Sequence, residues 1–136
     1  MAHGRGPQRQ AAQDPFFIHR PPGKGGEAGG ASPSLAFAGL YSWWRDPERP
    51  EDDPARWVLS TTILTRAARD GLEAIHDREP VVLPPGALDA WLDPSLTEAE
   101  DALDVLAAAP PELVWHEIGT RVGSVRNDDP ELLRPV

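Results

Sequence analysis

The sequence contains no cysteine, one lysine and no long hydrophobic run. Without cysteine the chain can form no disulfide, no thiolate metal site and no thiol nucleophile, and its redox compartment is left undetermined. No apolar stretch approaches the roughly 18 residues of a membrane helix, and the N-terminus lacks the apolar core of a signal peptide. We therefore expect a cytoplasmic protein that has no membrane partner.

Acidic residues outnumber basic ones, and the formal net charge is −9. This charge argues against wholesale electrostatic attraction to nucleic acid, although a local basic groove is compatible with it. The 136 residues allow one domain of ordinary size. Residues 1–14 lack apolar periodicity and are predicted to be disordered, and the Gly/Pro-rich segment 21–33 is predicted to be a flexible loop within a folded part spanning 15–136.

Short apolar segments predict strands in the first half of the chain. "PFFIHR" (15–20) and "SLAFAGLYSWW" (34–44) have the composition of strands. We predict that these two strands form a hairpin with a lengthened loop. Such a loop is tolerated because loop-closure entropy grows slowly with loop length. The charged, proline-broken segment 45–56 is predicted to be a surface loop, and "WVLSTTILT" (57–65) is the clearest strand.

The second half of the chain mixes helices and strands. In the helix predicted for 95–111, Ser95 and Glu98 match a capping box and the apolar positions follow a helical period. Those apolar positions are Ala99, Ala102, Leu103 and Leu106. The other predicted elements are one or two helical turns in 66–77 weakened by Gly71, a short buried strand in 80–84, a short helix in 85–94, and one or two strands in 113–128. Strands and helices do not alternate regularly, which indicates an α+β or barrel-like fold.

The stretch "EAIHDREP" (73–80) places His76 among charges directly before the predicted buried strand. From composition alone it is a solvated turn whose charges pair with one another, worth about 0 to 1 kcal/mol. A metal site here would recruit His76, but the spacing of the other candidate ligands matches no known ligand motif. Those candidates are Asp77, Glu79, His116 and Glu117. A serine hydrolase is not supported, because no G-x-S-x-G motif occurs.

Four segments occur in the order and approximate spacing of a known family. They are "FFIHR", "LAFAGLYSWW", "TTILTRAARDGLEAIHDREPVVLPP" with "AWLDP" close behind, and "VRNDDPEL". As a set they are specific, and through them the chain resembles the SOS-response-associated peptidase family, the abasic-site-processing proteins that contain the SRAP domain. The likeness runs from about Phe16 to Val136 and covers only the C-terminal half of the family's domain.

The resemblance implies a fold and an activity. The fold is a mainly antiparallel, barrel-like sheet with a few short helices, and its N-terminal half is missing here. Family members hold single-stranded DNA that contains an abasic site, and a cysteine at their N-terminus attacks the opened sugar to form a stable DNA–protein crosslink. His76 corresponds to the family's proton-transferring histidine, a task that suits imidazole near neutral pH. Thr65 and Arg78 resemble family positions near the DNA, and the resemblance implies no cofactor, no metal and a location at the nucleoid.

The chain departs from the family in its catalytic set. It has no cysteine, and it starts after the point where the family's catalytic glutamate and asparagine would lie, so His76 alone cannot form the crosslink. One hypothesis is therefore a truncated, catalytically incomplete member whose natural product is longer. An alternative is a non-catalytic binding module that completes its sheet with a partner, and a third is a metal-dependent hydrolase. Enzyme activity and oligomeric state stay open at this point.

Overall fold

The computed structural model describes residues 14–22 and 34–136 and shows a mixed α+β structure. The disordered start and the flexible loop predicted from the sequence, 1–14 and 21–33, fall almost entirely outside the described residues. The strands are β1 (Phe16–His19), β2 (Ala36–Phe37), β3 (Gly39–Arg45), β4 (Trp57–Ile63), β5 (Thr65–Ala67), β6 (Arg78–Pro80), β7 (Val82–Leu83) and β8 (Val114–Glu117). The helices are α1 (Pro85–Leu92) and α2 (Ala99–Leu106), and short 3₁₀ turns lie at Pro54–Arg56, Leu72–Ala74, Thr120–Gly123 and Pro130–Leu133.

The chain divides into two compact units. One contains the residues up to His19 together with Val114–Val136, and the other is Arg20–Leu113. In the first unit β1 and β8 pair antiparallel, with Phe17 opposite His116. The backbone N–H of Ile118 extends this pairing by donating to the Pro15 carbonyl at 2.9 Å.

The predicted hairpin between 15–20 and 34–44 is wrong. Both segments contain strands, but β1 pairs with β8, whereas β2 pairs with β7 and β3 pairs with β4. Local sequence reveals which segments form strands, yet it does not reveal their partners. Because loop closure costs little more for a long connection than for a short one, β1 can pair with a strand near the other end of the chain.

Three strands of the second unit bend where their backbones meet. Ala38 donates its N–H to the Val81 carbonyl, Val81 donates to Leu64, and Leu64 donates to Ala38, each at 2.9 Å. This ring of hydrogen bonds separates β2 from β3, β4 from β5, and β6 from β7. Ala38 is completely buried at the centre of this ring. Three backbones converge there, and a larger side chain would not fit. The strand predicted for 34–44 is therefore two strands with a bend between them.

The core of the second unit lies beside this ring. The buried side chains of Val81, Leu83 and Ala87 pack with Ala38, and α1 contributes further apolar contacts. Proline suits the first turn of α1 at Pro85, because the backbone N–H of that position has no acceptor within a helix. The helix ends two residues before Pro94, as the sequence predicts. The buried strand predicted for 80–84 is confirmed.

Helix α2 forms where expected but begins differently. Its N-cap is Glu98, and the side chain of Ser95 donates instead to the Asp93 carboxylate at 2.7 Å. The predicted capping box is thus wrong: α2 begins only at Ala99, and the backbone N–H of Ser95, which the motif assigns to Glu98, donates to the Asp93 carboxylate at 2.8 Å. Leu103 points away from the core with 64% of its surface exposed. The partly buried face of α2 is formed by Ala102, Val105 and Leu106.

Two other predicted segments hold the smaller amount of regular structure that the prediction allowed. Segment 66–77 contains the end of β5 and a single 3₁₀ turn, which begins after Gly71 in a left-handed conformation. Segment 113–128 contains β8 and then a 3₁₀ turn, so it has one described strand. Glycine and charged residues provide too few apolar side chains to pack longer elements there.

Replacing Gly39 with alanine is expected to destabilise the fold by about 1–3 kcal/mol. The new Cβ would lie 2.9 Å from the backbone carbonyl oxygen of Thr62, so β3 and β4 would have to separate locally. Gly86, at the start of α1, is a matched control because a Cβ there meets nothing within 4 Å. The Gly86→Ala variant should gain about 0.4–1 kcal/mol. Urea unfolding of both variants checks the prediction, and equal stabilities would contradict it.

Candidate functional site

Thr65 and Arg78 meet on one face of the β5–β6 pair. The two strands are antiparallel, with Thr65 opposite Pro80 and Ala67 opposite Arg78. The guanidinium of Arg78 reaches diagonally to Thr65, where Nε donates to Oγ1 at 2.9 Å and Nη2 donates to the backbone carbonyl at 3.0 Å. These two bonds fix the direction of the arginine. The remaining N–H groups of Arg78 stay available because its side chain is exposed.

The turn between β5 and β6 holds His76. Leu72 is the buried side chain of this turn, and its carbonyl accepts the His76 backbone N–H at 3.0 Å. Asp70 and Gly71 adopt left-handed backbone conformations, with φ of 56° and 96°. Glycine adopts this conformation without strain, and aspartate tolerates it better than most residues. The buried leucine and the two left-handed residues together place His76 beside Arg78.

The His76 ring has a partner in either protonation state. Its Nδ1 lies 3.0 Å from the backbone nitrogen of Arg78, which donates to it when the ring is neutral. A neutral ring that accepts this bond carries its proton on Nε2, whereas the other neutral tautomer donates from Nδ1 to the Arg78 carbonyl at 3.1 Å. When the ring is protonated, Nδ1 can donate instead to the Asp77 carboxylate or to the Arg78 carbonyl, each 3.1 Å away. With 67% of its side chain exposed, His76 is accessible to a ligand and suited to exchanging protons with it.

A buried carboxylate lies behind this site, and the sequence did not reveal it. The Oε1 atom of Glu79 accepts hydrogen bonds from Nε of Arg66 and from Nε of Arg69, both at 2.7 Å. Only 5% of Glu79 is exposed, and its Oε2 is buried without a hydrogen-bond partner among the described residues. Burial alone would raise the pKa of Glu79, but the hydrogen bonds and charges of the two arginines outweigh it and hold the pKa below its ordinary value.

The burial of Glu79 contradicts, at this residue, the prediction from composition that "EAIHDREP" is a solvated turn. Glu79 is buried and pairs with arginines outside the stretch, although the neighbouring His76 and Asp77 are exposed as expected. The burial of Glu79 could have been inferred from its position, because it directly precedes the apolar run that begins at Pro80. A charged residue at the start of a buried strand needs a buried counter-charge.

The three arginines near the turn differ in their availability. Arg66 and Arg69 both form ion pairs with Glu79, and Arg69 also pairs with Asp70. Glu79 faces away from Arg78 because adjacent residues of a strand point to opposite faces. Arg78 forms no ion pair with any carboxylate in the part of the chain that the structure describes. Arg78 is therefore the cation that this site offers to an anionic ligand.

Neutralising Glu79 is expected to cost stability in a pH-dependent way. At pH 7 the Glu79→Gln variant should lose about 1–3 kcal/mol, because charge-assisted hydrogen bonds to two arginines are weakened. The pKa of Glu79 is depressed in the folded chain, so this contribution is present above its ordinary value of 4.5 and is lost as the pH falls through the lower folded value. Urea unfolding at pH 7 and pH 3 should show the difference between wild type and variant shrinking at the lower pH. A difference independent of pH would contradict the assignment.

Within the described residues, no group of three or more His, Asp or Glu side chains could hold a metal ion. Two of the metal-ligand candidates from the sequence, His116 and Glu117, lie on β8 in the other compact unit. The His116 ring has a structural partner there, since Nε2 lies 2.8 Å from the Leu133 carbonyl. No helix among the described residues is long and apolar enough to cross a membrane.

A model of the SOS response associated peptidase (SRAP) family matches residues 6–125, a range that includes Thr65, His76 and Arg78. The chain belongs to the SRAP family. Among its SRAP relatives, the abasic site processing protein YedK of Escherichia coli is 37% identical over 126 residues, which cover 91% of this chain and 50% of the relative. The abasic site processing protein HMCES of Gallus gallus is 30% identical over 139 residues, which cover 95% of this chain and 40% of the relative.

This SRAP chain spans about half the length of the curated relatives that it matches. A third relative, the abasic site processing protein YoqW of Bacillus subtilis, is 32% identical over 100 residues and is covered to 42%. The structure is also similar to the crystal structure of a protein from Bacteroides thetaiotaomicron, with a TM-score of 0.62 and 23% identity. That match covers 95% of this chain and 51% of the other, and it supports the fold alone.

Proposed function

We propose that this SRAP chain binds single-stranded DNA at an abasic site and that the β5–β6 turn is the part that contacts the lesion. The observation that carries the proposal is that Arg78 contacts both of the other residues, Thr65 through its side chain and His76 through its backbone. The relatives of this chain are abasic site processing proteins, and the family match includes all three residues.

Each of the three residues has a task that suits its geometry. Arg78 donates to a phosphate oxygen with the N–H groups that Thr65 does not occupy, and Thr65 fixes the direction of that contact. His76 moves protons to and from the sugar with Nε2, because Nδ1 is held by the Arg78 backbone. An abasic sugar carries no base at its C1′ carbon, so an exposed imidazole can approach that carbon.

The chain itself supplies no thiol nucleophile for crosslinking. It has no cysteine, so a thiol must come from outside these 136 residues before the family's crosslink, a thiazolidine ring, can form. On this proposal the chain is a catalytically incomplete member of the family. A denaturing gel after incubation with an abasic oligonucleotide should show no shifted band, and a denaturation-resistant shifted band would contradict this part of the proposal.

The proposal also includes a barrel-like sheet in the complete family domain. The ring of hydrogen bonds at Ala38, Leu64 and Val81 supports it, because strands bend in this way where a sheet curves towards closure. A crystal structure of the chain together with the rest of an SRAP domain checks it. Separate flat sheets in that structure would refute the barrel.

Replacing Arg78 with alanine is expected to weaken binding of single-stranded DNA about tenfold, because one charge-assisted phosphate contact is lost. Since Arg78 is the available cation at the site, the slope of log K against log salt should fall by about 0.7, the value for one phosphate on a single strand. Fluorescence anisotropy with a dye-labelled oligonucleotide that carries one abasic site measures both quantities across a salt series.

Arg45→Ala provides the matched control for this measurement. Arg45 is an exposed arginine that pairs with Glu51 at the far end of β3. It should leave both the affinity and the salt slope near their wild-type values. If both variants weaken binding equally, the contact is general electrostatic attraction, and the placement of DNA at the β5–β6 turn is wrong.

A further inference from the structure

Arg66 and Arg69 bind the same oxygen of Glu79 from different parts of the chain. Each guanidinium donates from Nε to Oε1 at 2.7 Å. Arg66 lies in β5, directly opposite Glu79 in the strand register. Arg69 lies beyond Ala67, the last residue of β5, in the turn that leads to His76. One bond therefore joins two paired strands, whereas the other joins β6 to the turn.

Charge balance alone does not explain the second arginine. A buried carboxylate is tolerated when a cation pairs with it, and Arg66 by itself meets this need. With Arg69 the group has two positive charges and one negative charge, while Oε2 of Glu79 has no hydrogen-bond partner among the described residues. The contribution that Arg69 adds to that of Arg66 is therefore a constraint on the turn.

The bond between Arg69 and Glu79 closes the segment that contains His76. The two bonded residues are ten positions apart, and the whole turn lies between them. Of the residues between them, all of which the structure describes, Leu72 is the only one that is buried. Asp70 has a φ of 56°, a conformation that costs free energy for residues other than glycine. A segment with so little buried surface needs a further contact to hold one conformation.

Hydrogen bonds connect the position of Arg69 to that of His76. The Arg69 backbone carbonyl accepts the N–H of Leu72 at 3.0 Å, and the Leu72 carbonyl accepts the N–H of His76 at 3.0 Å. At the other end of the turn, Nδ1 of His76 lies 3.0 Å from the backbone nitrogen of Arg78, the residue before Glu79. His76 is therefore held from both sides, through Arg69 at the start of the turn and through β6 at its end.

Burial makes the Arg69–Glu79 bond strong enough for this task. Only 6% of the Glu79 side chain and 35% of the Arg69 side chain are exposed, so water and salt screen this pair less than a surface ion pair. The other ion pair of Arg69 is with Asp70 at 3.7 Å. The side chain of Asp70 is 82% exposed, so that pair contributes little. Glu79 is thus the partner that fixes Arg69.

We propose that Arg69 and Glu79 are a positioning pair that holds the His76 imidazole in place beside Arg78. Both residues act on the reaction through His76. The positioning stands on contacts within the chain, whereas its effect on proton transfer rests on the proposed function of His76. Two measurements, one without DNA and one with it, keep these two parts separate.

Arg69→Met tests the positioning, and Arg66→Met is the matched control. Each variant removes one of two bonds of equal length and leaves Glu79 with one arginine, so both should lose similar stability in urea. Amide exchange at His76 and Arg78, followed by NMR on the free protein, should be about tenfold or more faster in Arg69→Met than in Arg66→Met. Equal exchange in these two variants would overturn the proposal.

A lysine pair keeps the test decisive if a methionine variant does not fold. Lysine keeps the charge but lacks the planar fork of arginine, so Arg69→Lys should show exchange at His76 between that of the wild type and that of Arg69→Met. Arg66→Lys should leave this exchange at the wild-type rate. Exchange that is the same in both lysine variants would overturn the proposal.

Capture of an abasic aldehyde by an added peptide that begins with cysteine measures the effect on proton transfer. Arg69→Met should lower the rate at saturating DNA about tenfold or more, because a displaced imidazole transfers protons poorly. The DNA concentration at half-maximal rate should not change, and Arg66→Met should change neither quantity. A change in that concentration alone would mean that Arg69 binds DNA, which overturns the positioning role. If the wild-type chain does not accelerate capture, the proposed function fails, and amide exchange still decides the positioning.

Discussion

Replacing His76 with glutamine is expected to slow capture of an abasic aldehyde at least about 10²-fold when a nucleophile is supplied from outside. A short peptide that begins with cysteine provides an amine together with the thiol that this chain lacks. Its amine condenses with the opened sugar and releases water to give an imine. Its thiol then adds across the C=N bond, the sulfur proton moves to nitrogen, and a thiazolidine ring closes.

His76 would assist by taking and returning the protons of these steps. Opening the sugar and expelling water both require a group that donates a proton after accepting one, and glutamine keeps the polarity and approximate size of histidine without this ability. The hydrogen-bond partners of Nδ1 in both protonation states support this cycle. The rate of appearance of the peptide–DNA adduct on a denaturing gel measures the effect, relative to the peptide without the protein.

His116→Gln serves as the control for this experiment. His116 lies in the other compact unit, where its Nε2 lies 2.8 Å from the Leu133 carbonyl. We expect the rate with this variant to equal that of the wild-type chain. A rate unchanged by His76→Gln, measured with DNA binding intact, would show that His76 transfers no proton.

Truncating Leu72 to alanine is expected to cost about 2–5 kcal/mol, the range for a buried leucine that leaves a cavity. Leu72 is 93% buried and is the buried anchor of the turn that carries His76. Its carbonyl also accepts the backbone N–H groups of Ile75 and His76, so movement of Leu72 displaces the histidine directly. Urea unfolding measures the loss of stability, and hydrogen exchange in the turn measures the local opening.

Leu92→Ala is the matched control because Leu92 is a leucine with 68% of its surface exposed. It should change stability by less than about 0.5 kcal/mol. Under conditions in which the Leu72→Ala variant stays folded, exchange should quicken in the β5–β6 turn more than in α1. Equal losses of stability from the two variants would mean that Leu72 does not anchor the turn.

Local sequence signals located most elements of the fold correctly. Alternation and β-branched residues predicted β1, β4 and the buried strands near Val82, and prolines placed the limits of α1. These signals succeed because propensity and periodicity act over a few residues. The predicted capping box at Ser95 did not form, and the reason is local too, since Asp93 accepts the Ser95 backbone N–H that the motif assigns to Glu98.

The candidate site was predicted in part. The motif set singled out His76, Thr65 and Arg78, and the structure brings these three together, while their roles in DNA processing stay predictions. Glu79 was counted among solvated charges and proved to be the buried partner of two arginines. Its neighbours come from β5 and the following turn, and only the strand register puts Arg66 opposite it.

The sequence by itself determined which segments form strands and helices, the absence of a thiol, and the motif that carries His76. The tertiary structure decided which strands pair and where three backbones meet at Ala38. It also decided that apolar side chains on both faces of the β3–β4 pair are exposed. The reason is that composition and periodicity are properties of neighbouring residues. Pairing and burial depend instead on residues that are distant along the chain, and for these the closure of a long loop adds only a small cost.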